Sequence, residues 1–226
     1  MSIGDENEYY SKTFNGEDYF AGGLQDNGTQ LFINANQNGV DDSVEAYGGD
    51  GAYTFFDQDN DKYFISNYVY NSGINLFNLE TNSQVTINNE SASNGAFINP
   101  QALDSNLDIL YSNYSSNGNA IIRRYSGIKA QITLAATDLT YFEFDSTPTA
   151  FTVSPYTTNS STLFVGTVLG DIFKVEEADT DFQTWTELEL NNFIVGSISD
   201  IELGDSEDEI FVTIHNYGVE NIWYTN

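Results

Sequence analysis

A motif of two short apolar strands around a polar turn occurs five times along the chain. In each copy the first strand ends in a small residue, at Gly22, Ser66, Ser112, Gly166 and Thr213. These markers are separated by 44, 46, 54 and 47 residues. The blades of β-propellers, each a four-stranded sheet, repeat at roughly 40–50 residues, so this period predicts a propeller. A β-sandwich is the alternative, but its strands follow one another at about 8–12 residues without a longer period.

Further strands can be placed around the repeated hairpins. Candidates precede them at residues 52–56, 97–103, 150–154 and 197–203, and follow them at 84–87, 130–134 and 184–190. The sequence therefore predicts one domain with complete blades at 51–90, 97–136 and 148–191 and partial blades at 8–47 and 195–226. Two interpretations follow. Either the chain is a piece of a longer propeller and contacts neighbouring blades of that parent, or residues 9–14 supply the missing strand of a five-bladed ring.

Composition supports an all-β chain and excludes several functions. Charged residues make up only 18% and aromatic residues 15%, as is typical of strands joined by polar turns. Six Lys and Arg against 34 Asp and Glu give a formal net charge of −28, which repels phosphate backbones and excludes nucleic acid as a partner. With no Cys and one His, thiolate chemistry and two-histidine metal sites are excluded, and we predict no cofactor. No apolar stretch approaches the roughly 18 residues of a membrane-spanning helix, so no membrane insertion is expected.

Several stretches resemble a known family. Residues 19–29 (YFAGGLQDNGT) are similar to the GG-x-QDNGT signature of the secreted BNR/sortilin-like propellers common in the Bacteroidetes, and residues 48–51 match its GGDG element. Residues 97–104 (FINPQALD) resemble its F-x-x-P-x-x-L-D strand, and residues 222–226 the strand before an Asp-box. Members are often labelled glycosyl-hydrolase-like or xyloglucanase-like. The resemblance implies an extracellular or cell-surface protein, exported by type IX secretion. The chain departs from the family at residues 177–185, where an Asp-box has lost its glycines.

The resemblance places two carboxylates as candidates for glycoside hydrolysis. Asp26 and Asp50 lie in the two family-like loops, and hydrolysis needs a pair of Asp or Glu at a defined separation. The alternative is structural, because Asp26-Asn27-Gly28 is also typical of a hairpin turn, with residues 48–51 as a tight entry into a strand. Sialidase activity is excluded, since Arg123 and Arg124 are adjacent on one strand and point to opposite faces.

Polar and aromatic residues near these loops are candidates for ligand binding. We assign this role to Gln25, Asn27, Tyr68 and Tyr70, although most aromatic residues of an all-β chain pack across strands. The acidic turn at residues 57–61 imitates the start of a calcium loop but departs from the EF-hand pattern, so we predict a solvated turn and no metal site. His215 and the two tryptophans, Trp185 and Trp223, are expected to be structural.

Two functions remain open from the sequence. The first is a non-enzymatic propeller module that binds a polysaccharide or a protein ligand, which the lack of an evident catalytic constellation favours. The second is a fragment of a xyloglucanase-like glycoside hydrolase that uses paired carboxylates. Strong negative charge also fits a salt-adapted protein.

Overall fold

The computed structural model describes residues 11–33, 43–90, 94–188 and 196–225. These residues form nineteen β-strands, and none of them lies in a helix, so the all-β prediction is confirmed. Among them there is accordingly no helix of the length and apolarity needed to cross a membrane.

The strands form five antiparallel sheets, in each of which neighbours in sequence are neighbours in space. Sheet 1 contains β1 (Ser11–Phe14), β2 (Glu17–Leu24), β3 (Gly28–Ile33) and β4 (Val44–Tyr47). Sheet 2 contains β5 (Thr54–Phe56), β6 (Tyr63–Ser66), β7 (Ile74–Asn78) and β8 (Ser83–Asn88). Sheet 3 contains β9 (Gln101–Asp104), β10 (Ile109–Asn113), β11 (Ile122–Ser126) and β12 (Ala135–Leu139). Sheet 4 contains β13 (Pro148–Val153), β14 (Leu163–Thr167), β15 (Ile172–Glu176) and β16 (Thr184–Glu187), and sheet 5 contains β17 (Ser197–Leu203), β18 (Ile210–His215) and β19 (Ile222–Thr225).

Two strands differ from the sequence-based expectation. The strand expected at residues 130–134 is wrong, because residues 128–133 form turns and β12 begins at Ala135. Thr133 closes the turn by donating its hydroxyl to the Gly127 carbonyl at 2.9 Å, and Ile132 is 95% exposed. Residues 11–14 are β1, paired with β2 in sheet 1, and so do not supply a strand to sheet 5; residues 9 and 10 lie outside the described part.

The chain divides into two compact units. The first comprises residues 1–99 and 127–135, and its core lies between sheets 1 and 2. Phe14, Tyr19 and Leu31 of sheet 1 pack with Phe56 and Phe64 of sheet 2, and all five are buried. The Phe56 and Phe64 ring centroids are 5.5 Å apart. Sheets 1 and 2 therefore pack face to face.

The second unit comprises residues 100–126 and 136–226 and contains sheets 3, 4 and 5, apart from Ala135 of β12. Its two core clusters lie on opposite faces of sheet 4, because side chains alternate along a strand. Leu163 and Val165 of β14 belong to the cluster shared with sheet 3, and Phe164 to the cluster shared with sheet 5. The small marker Gly166 is required here, since a Cβ atom at this position would lie 2.5 Å from Cβ of Ile198.

Candidate ligand-binding site

The β2–β3 hairpin turn carries three of the predicted site residues. The Asn27 backbone N–H donates to the Leu24 carbonyl at 3.2 Å, which closes the turn. Asp26 has φ of 61° and Gly28 φ of 67°, the left-handed conformation that Asp and Asn tolerate and Gly adopts freely. Gln25, Asp26 and Asn27 are consequently exposed at the tip of the turn.

The connection between β4 and β5 locks onto this turn. The Asp50 carboxylate oxygen Oδ1 accepts a hydrogen bond from the Asp26 backbone N–H at 2.8 Å. The Gly28 N–H donates to the Gly49 carbonyl at 2.6 Å, and the Gly51 N–H donates to the Leu24 carbonyl at 3.0 Å. The two family-like stretches, 19–29 and 48–51, thus form one interlocked pair of loops.

Glycine is needed in this pair of loops because the two backbones are in contact. A Cβ atom at Gly51 would lie 2.6 Å from Cα of Gly23 and 2.7 Å from the carbonyl carbon of Gly28. Both neighbours are main-chain atoms, which cannot turn aside as a flexible side chain can. The loop pair therefore accepts hydrogen at position 51 and nothing larger without a backbone shift.

The β6–β7 loop, residues 67–73, adds the aromatic candidates. A Cβ atom at Gly49 would lie 2.7 Å from Cε2 of Tyr68, so the Tyr68 ring covers Gly49. The Asn67 side chain, which is fully buried, donates to the carbonyls of Tyr70 and Ser72 at 3.2 Å each and holds the loop. The Asn67 carbonyl accepts from the Ala52 N–H at 2.9 Å, which joins this loop to the β4–β5 connection.

All six predicted site residues lie on this assembly of three loops. Gln25, Asp26 and Asn27 lie at the turn, Asp50 beneath it, and Tyr68 against Gly49. Tyr70 is on the same loop as Tyr68, but its ring makes an edge contact with Phe97 at 5.9 Å and its N–H donates to the Phe97 carbonyl.

Sequence reasoning missed the supports of this site, Asn67 and Tyr47. Asn67 follows the marker Ser66 at the end of β6, and an Asn after a strand is a signal for side-chain bonding to loop carbonyls. Tyr47 lies beside Gly73, where an added Cβ atom would be 3.1 Å from the Tyr47 hydroxyl. No local pattern indicates that second contact, because it joins residues 26 positions apart in the chain.

Chemically, the assembly offers hydrogen-bonding groups and one aromatic surface. Gln25, Asp26 and Asn27 are exposed, and Tyr68 is half-buried; the Asn27 amide nitrogen also donates to the Gln25 carbonyl at 3.1 Å within the turn. Asp50 is different, since one of its carboxylate oxygens already caps the turn.

The acidic turn at residues 57–61 is the group that could hold a cation among the described residues. Carboxylate oxygens of Asp57, Asp59 and Asp61 lie within 4.8 Å of one another, and such oxygens are ligands that Ca²⁺ prefers. Asp57 is fully buried and accepts from the N–H groups of Asp59 and Asp61 at 3.2 and 3.1 Å, so it is not the solvated residue we expected. A hydrogen bond with Asp57, followed by backbone N–H groups, lowers the pKa of Asp59, while Lys129 pairs with Asp61.

The remaining candidates have structural surroundings. Glu207 accepts from the Ser154 hydroxyl at 2.5 Å and from Lys174 Nζ at 2.8 Å. Glu209 accepts from the Asp205 N–H and the Tyr224 hydroxyl, both at 2.7 Å. His215 is exposed at the end of β18, with its ring 6.3 Å from that of Tyr217.

Comparisons with known proteins leave the family assignment open. No protein-family model matches this chain, and no curated protein matches its sequence. Among solved structures, the chain is similar to one described as "Structure of U3-55K", with 9% identity and a TM-score of 0.44 over 92% of this chain and 73% of that chain. The resemblance to the BNR/sortilin-like propellers therefore stays a prediction.

Proposed function

We propose that this chain is part of a β-propeller that binds carbohydrate on the three-loop assembly and does not cleave it. The propeller is supported by the sequence period and by the pairing of each strand with its neighbours in sequence. Face-to-face packing of sheet 1 on sheet 2, and of sheet 4 between sheets 3 and 5, agrees with stacked blades.

The hydrogen bond from the Asp26 N–H to Asp50 Oδ1 carries the proposal. It joins two loops that are separated in the sequence by β3 and β4, and it holds exposed Gln25 and Asn27 on one surface. Sugar hydroxyls both donate and accept hydrogen bonds, so amide and carboxylate groups suit them. The apolar CH face of a sugar ring packs on aromatic rings, and Tyr68 supplies such a ring beside the turn.

The same bond supports binding over hydrolysis. A glycosidase needs two carboxylates that work as acid and as base or nucleophile on a substrate. Asp50 is half-buried and gives one oxygen to the backbone of the turn. We assign Asp50 to hold the loops and Asp26 to contact the ligand. An extracellular or cell-surface location, implied by the family resemblance, belongs to the same proposal.

Calorimetric titration with soluble β-glucans tests this function. We expect Tyr68→Ala and Gln25→Ala to weaken binding about tenfold or more, since each removes a direct contact. Tyr217→Ala, an exposed tyrosine on another loop, is the matched control and should bind as the parent does.

A reducing-sugar assay on the same glucans distinguishes binding from the alternative function, glycoside hydrolysis. If the parent protein releases sugar and the variants Asp26→Asn and Asp50→Asn do not, the function is glycoside hydrolysis and the binding proposal is wrong. Binding without release, lost in Tyr68→Ala and kept in Tyr217→Ala, is the expected result. Equal binding by all variants would place the sugar elsewhere on the protein.

A further inference from the structure

A ladder of three aromatic rings runs from the core of the second unit to its surface. Trp185 of β16 packs against the core cluster between sheets 3 and 4. Tyr141, two residues after β12, stacks on Trp185 with ring centroids 5.6 Å apart and ring planes 10° apart. Phe142 contacts the Tyr141 ring edge-on at 4.8 Å and is 81% exposed. The ladder therefore ends in an exposed ring that is joined to the core by the two inner rings.

Two exposed carboxylates flank the middle ring of the ladder. Glu143 accepts a hydrogen bond from the Tyr141 hydroxyl at 2.9 Å. Glu187 lies two residues after Trp185 on β16, and residues two apart on a strand point to the same face. The hydrogen bond to Glu143 raises the pKa of the Tyr141 hydroxyl above its ordinary value, and the charges of Glu143 and Glu187 raise it further. Both carboxylates are thus close enough to make the surface of the ladder electrostatically negative.

The chain's own basic side chains are all engaged elsewhere. The chain has six Lys and Arg residues. Four of them form ion pairs, namely Arg123 with Asp138, Arg124 with Asp181, Lys129 with Asp61 and Lys174 with Glu207. Lys12 donates to the Asp59 carbonyl, and Lys62 lies over the Tyr19 ring. A second copy of the chain has the same six residues and a net charge of −28, so it is repelled. A cation that binds the ladder must therefore come from a different molecule.

Another part of the second unit shows which cation fits a ring beside a carboxylate. The Arg123 guanidinium lies over the Tyr114 ring, 3.2 Å from its centroid. The same guanidinium donates to both carboxylate oxygens of Asp138, at 2.6 and 2.9 Å. A planar guanidinium can stack on an aromatic face and pair with a carboxylate through two bonds, whereas an ammonium group is a compact, strongly hydrated charge. The ladder offers the same two components, a ring and a carboxylate, on the surface.

We propose that the aromatic ladder of Trp185, Tyr141 and Phe142 binds an arginine side chain of a partner protein. The guanidinium packs on the exposed rings and pairs with Glu187, since Glu143 already accepts from Tyr141. Charge favours this occupant over a sugar, because a cation is attracted both by the ring faces and by the two carboxylates. The proposal goes beyond the carbohydrate site and does not rest on it, since that site lies in the first unit.

A nuclear magnetic resonance titration of the 226-residue protein tests the arginine site. The probe is the peptide acetyl-Gly-Arg-Gly-amide. The readout is the indole N–H resonance of Trp185, which Trp185→Phe identifies because the chain has only two tryptophans. We expect a saturable shift with a dissociation constant of about 1–10 mM. The same peptide with citrulline, a neutral isostere of arginine, should bind at least about fivefold more weakly, and the lysine peptide should lie between the two.

Variants of the ring and the carboxylate locate the contact. Phe142→Ala should weaken binding of the arginine peptide about two- to fivefold, because it removes a ring face that attracts the cation. Glu187→Gln should weaken it by a similar factor of about two to five, because it removes one member of an exposed ion pair. The matched controls are Tyr217→Ala, which removes a 91% exposed ring, and Glu80→Gln, which removes an exposed carboxylate of the first unit. Both controls should bind as the parent does.

Four results would overturn the proposal. The first is equal binding of the arginine and citrulline peptides, or no saturable shift at about 50 mM peptide. The second is equal weakening by Glu187→Gln and Glu80→Gln, which would show diffuse attraction to the net charge. The third is unchanged binding by Phe142→Ala, which would remove the ladder from the contact. The fourth is displacement of the arginine peptide by cellohexaose, which would make the ladder a second sugar-binding surface.

Discussion

At the scale of single residues, the close approach of two backbones decides which positions tolerate a side chain. Gly22 and Gly51 both belong to family-like stretches. They differ because nothing lies within 4 Å of a Cβ atom added at Gly22, whereas one at Gly51 meets the main chain of Gly23 and Gly28. A glycine motif in a sequence thus mixes positions that need glycine with positions that do not.

We expect Gly51→Ala to lower the free energy of unfolding by about 1–3 kcal/mol, because overpacking against rigid atoms forces a backbone shift. Urea denaturation followed by far-ultraviolet circular dichroism measures it. Gly22→Ala is the matched control and should change the free energy of unfolding by less than about 0.5 kcal/mol. Equal stabilities of the two variants would mean that the loop pair is not locked as described.

The Lys174–Glu207 pair gives a pH-dependent prediction at the same scale. Partial burial opposes the charged form of Glu207, but hydrogen bonds from Lys174 and Ser154 prevail and hold its pKa below the usual 4.5. A carboxyl group whose pKa is lower in the folded state stabilises the fold above the unfolded pKa. This contribution is lost as the pH falls through the folded pKa.

Lys174→Met should therefore destabilise the protein by about 1–3 kcal/mol at pH 7, since it removes one partner of a partly buried pair. The difference from the parent should shrink as the pH falls below 4.5 and through the lowered folded pKa of Glu207, because the carboxylate is then protonated. Urea denaturation at several pH values measures both. Lys12→Met, which removes a lysine whose ammonium donates to the Asp59 carbonyl, is the control and should show no such narrowing. A difference that is the same at pH 3.5 and pH 7 would contradict the pairing.

At the scale of strands, Trp185 of β16 packs against the core cluster that lies between sheets 3 and 4, and its removal tests that packing. Trp185 lies against Phe144 and Phe173 and stacks on Tyr141 with ring planes 10° apart. Trp185→Ala should cost about 2–4 kcal/mol of unfolding free energy, because it leaves a cavity at the border of the cluster. Thermal unfolding by circular dichroism measures this. Phe182→Ala, which removes an 83% exposed ring three residues earlier, should leave the melting temperature nearly unchanged.

The strands that sequence could predict are those whose apolar residues pack within one hairpin or between adjacent hairpins. β14 and β18 each lie at their predicted place, because alternate apolar residues of β18 and all three large apolar residues of β14 enter a core. The pattern at residues 130–134 was misleading, since the Thr133 hydroxyl bond to Gly127 stabilises a turn and leaves Ile132 in solvent. β12 is instead fixed by Asp138, which pairs with Arg123 through two bonds of 2.6 and 2.9 Å.

The sequence predicts the exposed residues of the loop site but not the residues that hold its loops together. The hairpin turn that contains Gln25, Asp26 and Asn27 is specified by the residues of the turn itself. The bond from Asp26 to Asp50 and the cover of Tyr68 over Gly49 join positions 24 and 19 residues apart. Such contacts depend on how sheets 1 and 2 are placed, and no local pattern contains that information.

At the scale of the whole molecule, the excess of carboxylates shapes the response to salt. Most of the few basic side chains form ion pairs with carboxylates. Arg123 pairs with Asp138, and Arg124 pairs with Asp181. Most of the 34 Asp and Glu residues have no cation to pair with, since the chain has only six Lys and Arg. Repulsion among carboxylates then outweighs attraction, and it acts over the Debye length, which falls from about 30 Å at 0.01 M to about 10 Å at 0.1 M salt.

We therefore expect the melting temperature to rise when NaCl is raised from 0.01 to 0.1 M, because screening weakens net repulsion more than it weakens the few ion pairs. Differential scanning fluorimetry measures the rise. KCl at the same ionic strength is the control and should give the same curve, since screening depends on charge and concentration alone. A fall in melting temperature would mean that attractive pairs dominate. A further rise with CaCl₂ at matched ionic strength, lost in Asp59→Asn, would assign a bound cation to the Asp57–Asp59–Asp61 turn, because a ligand that binds only the native state stabilises it by RT ln(1 + [L]/Kd).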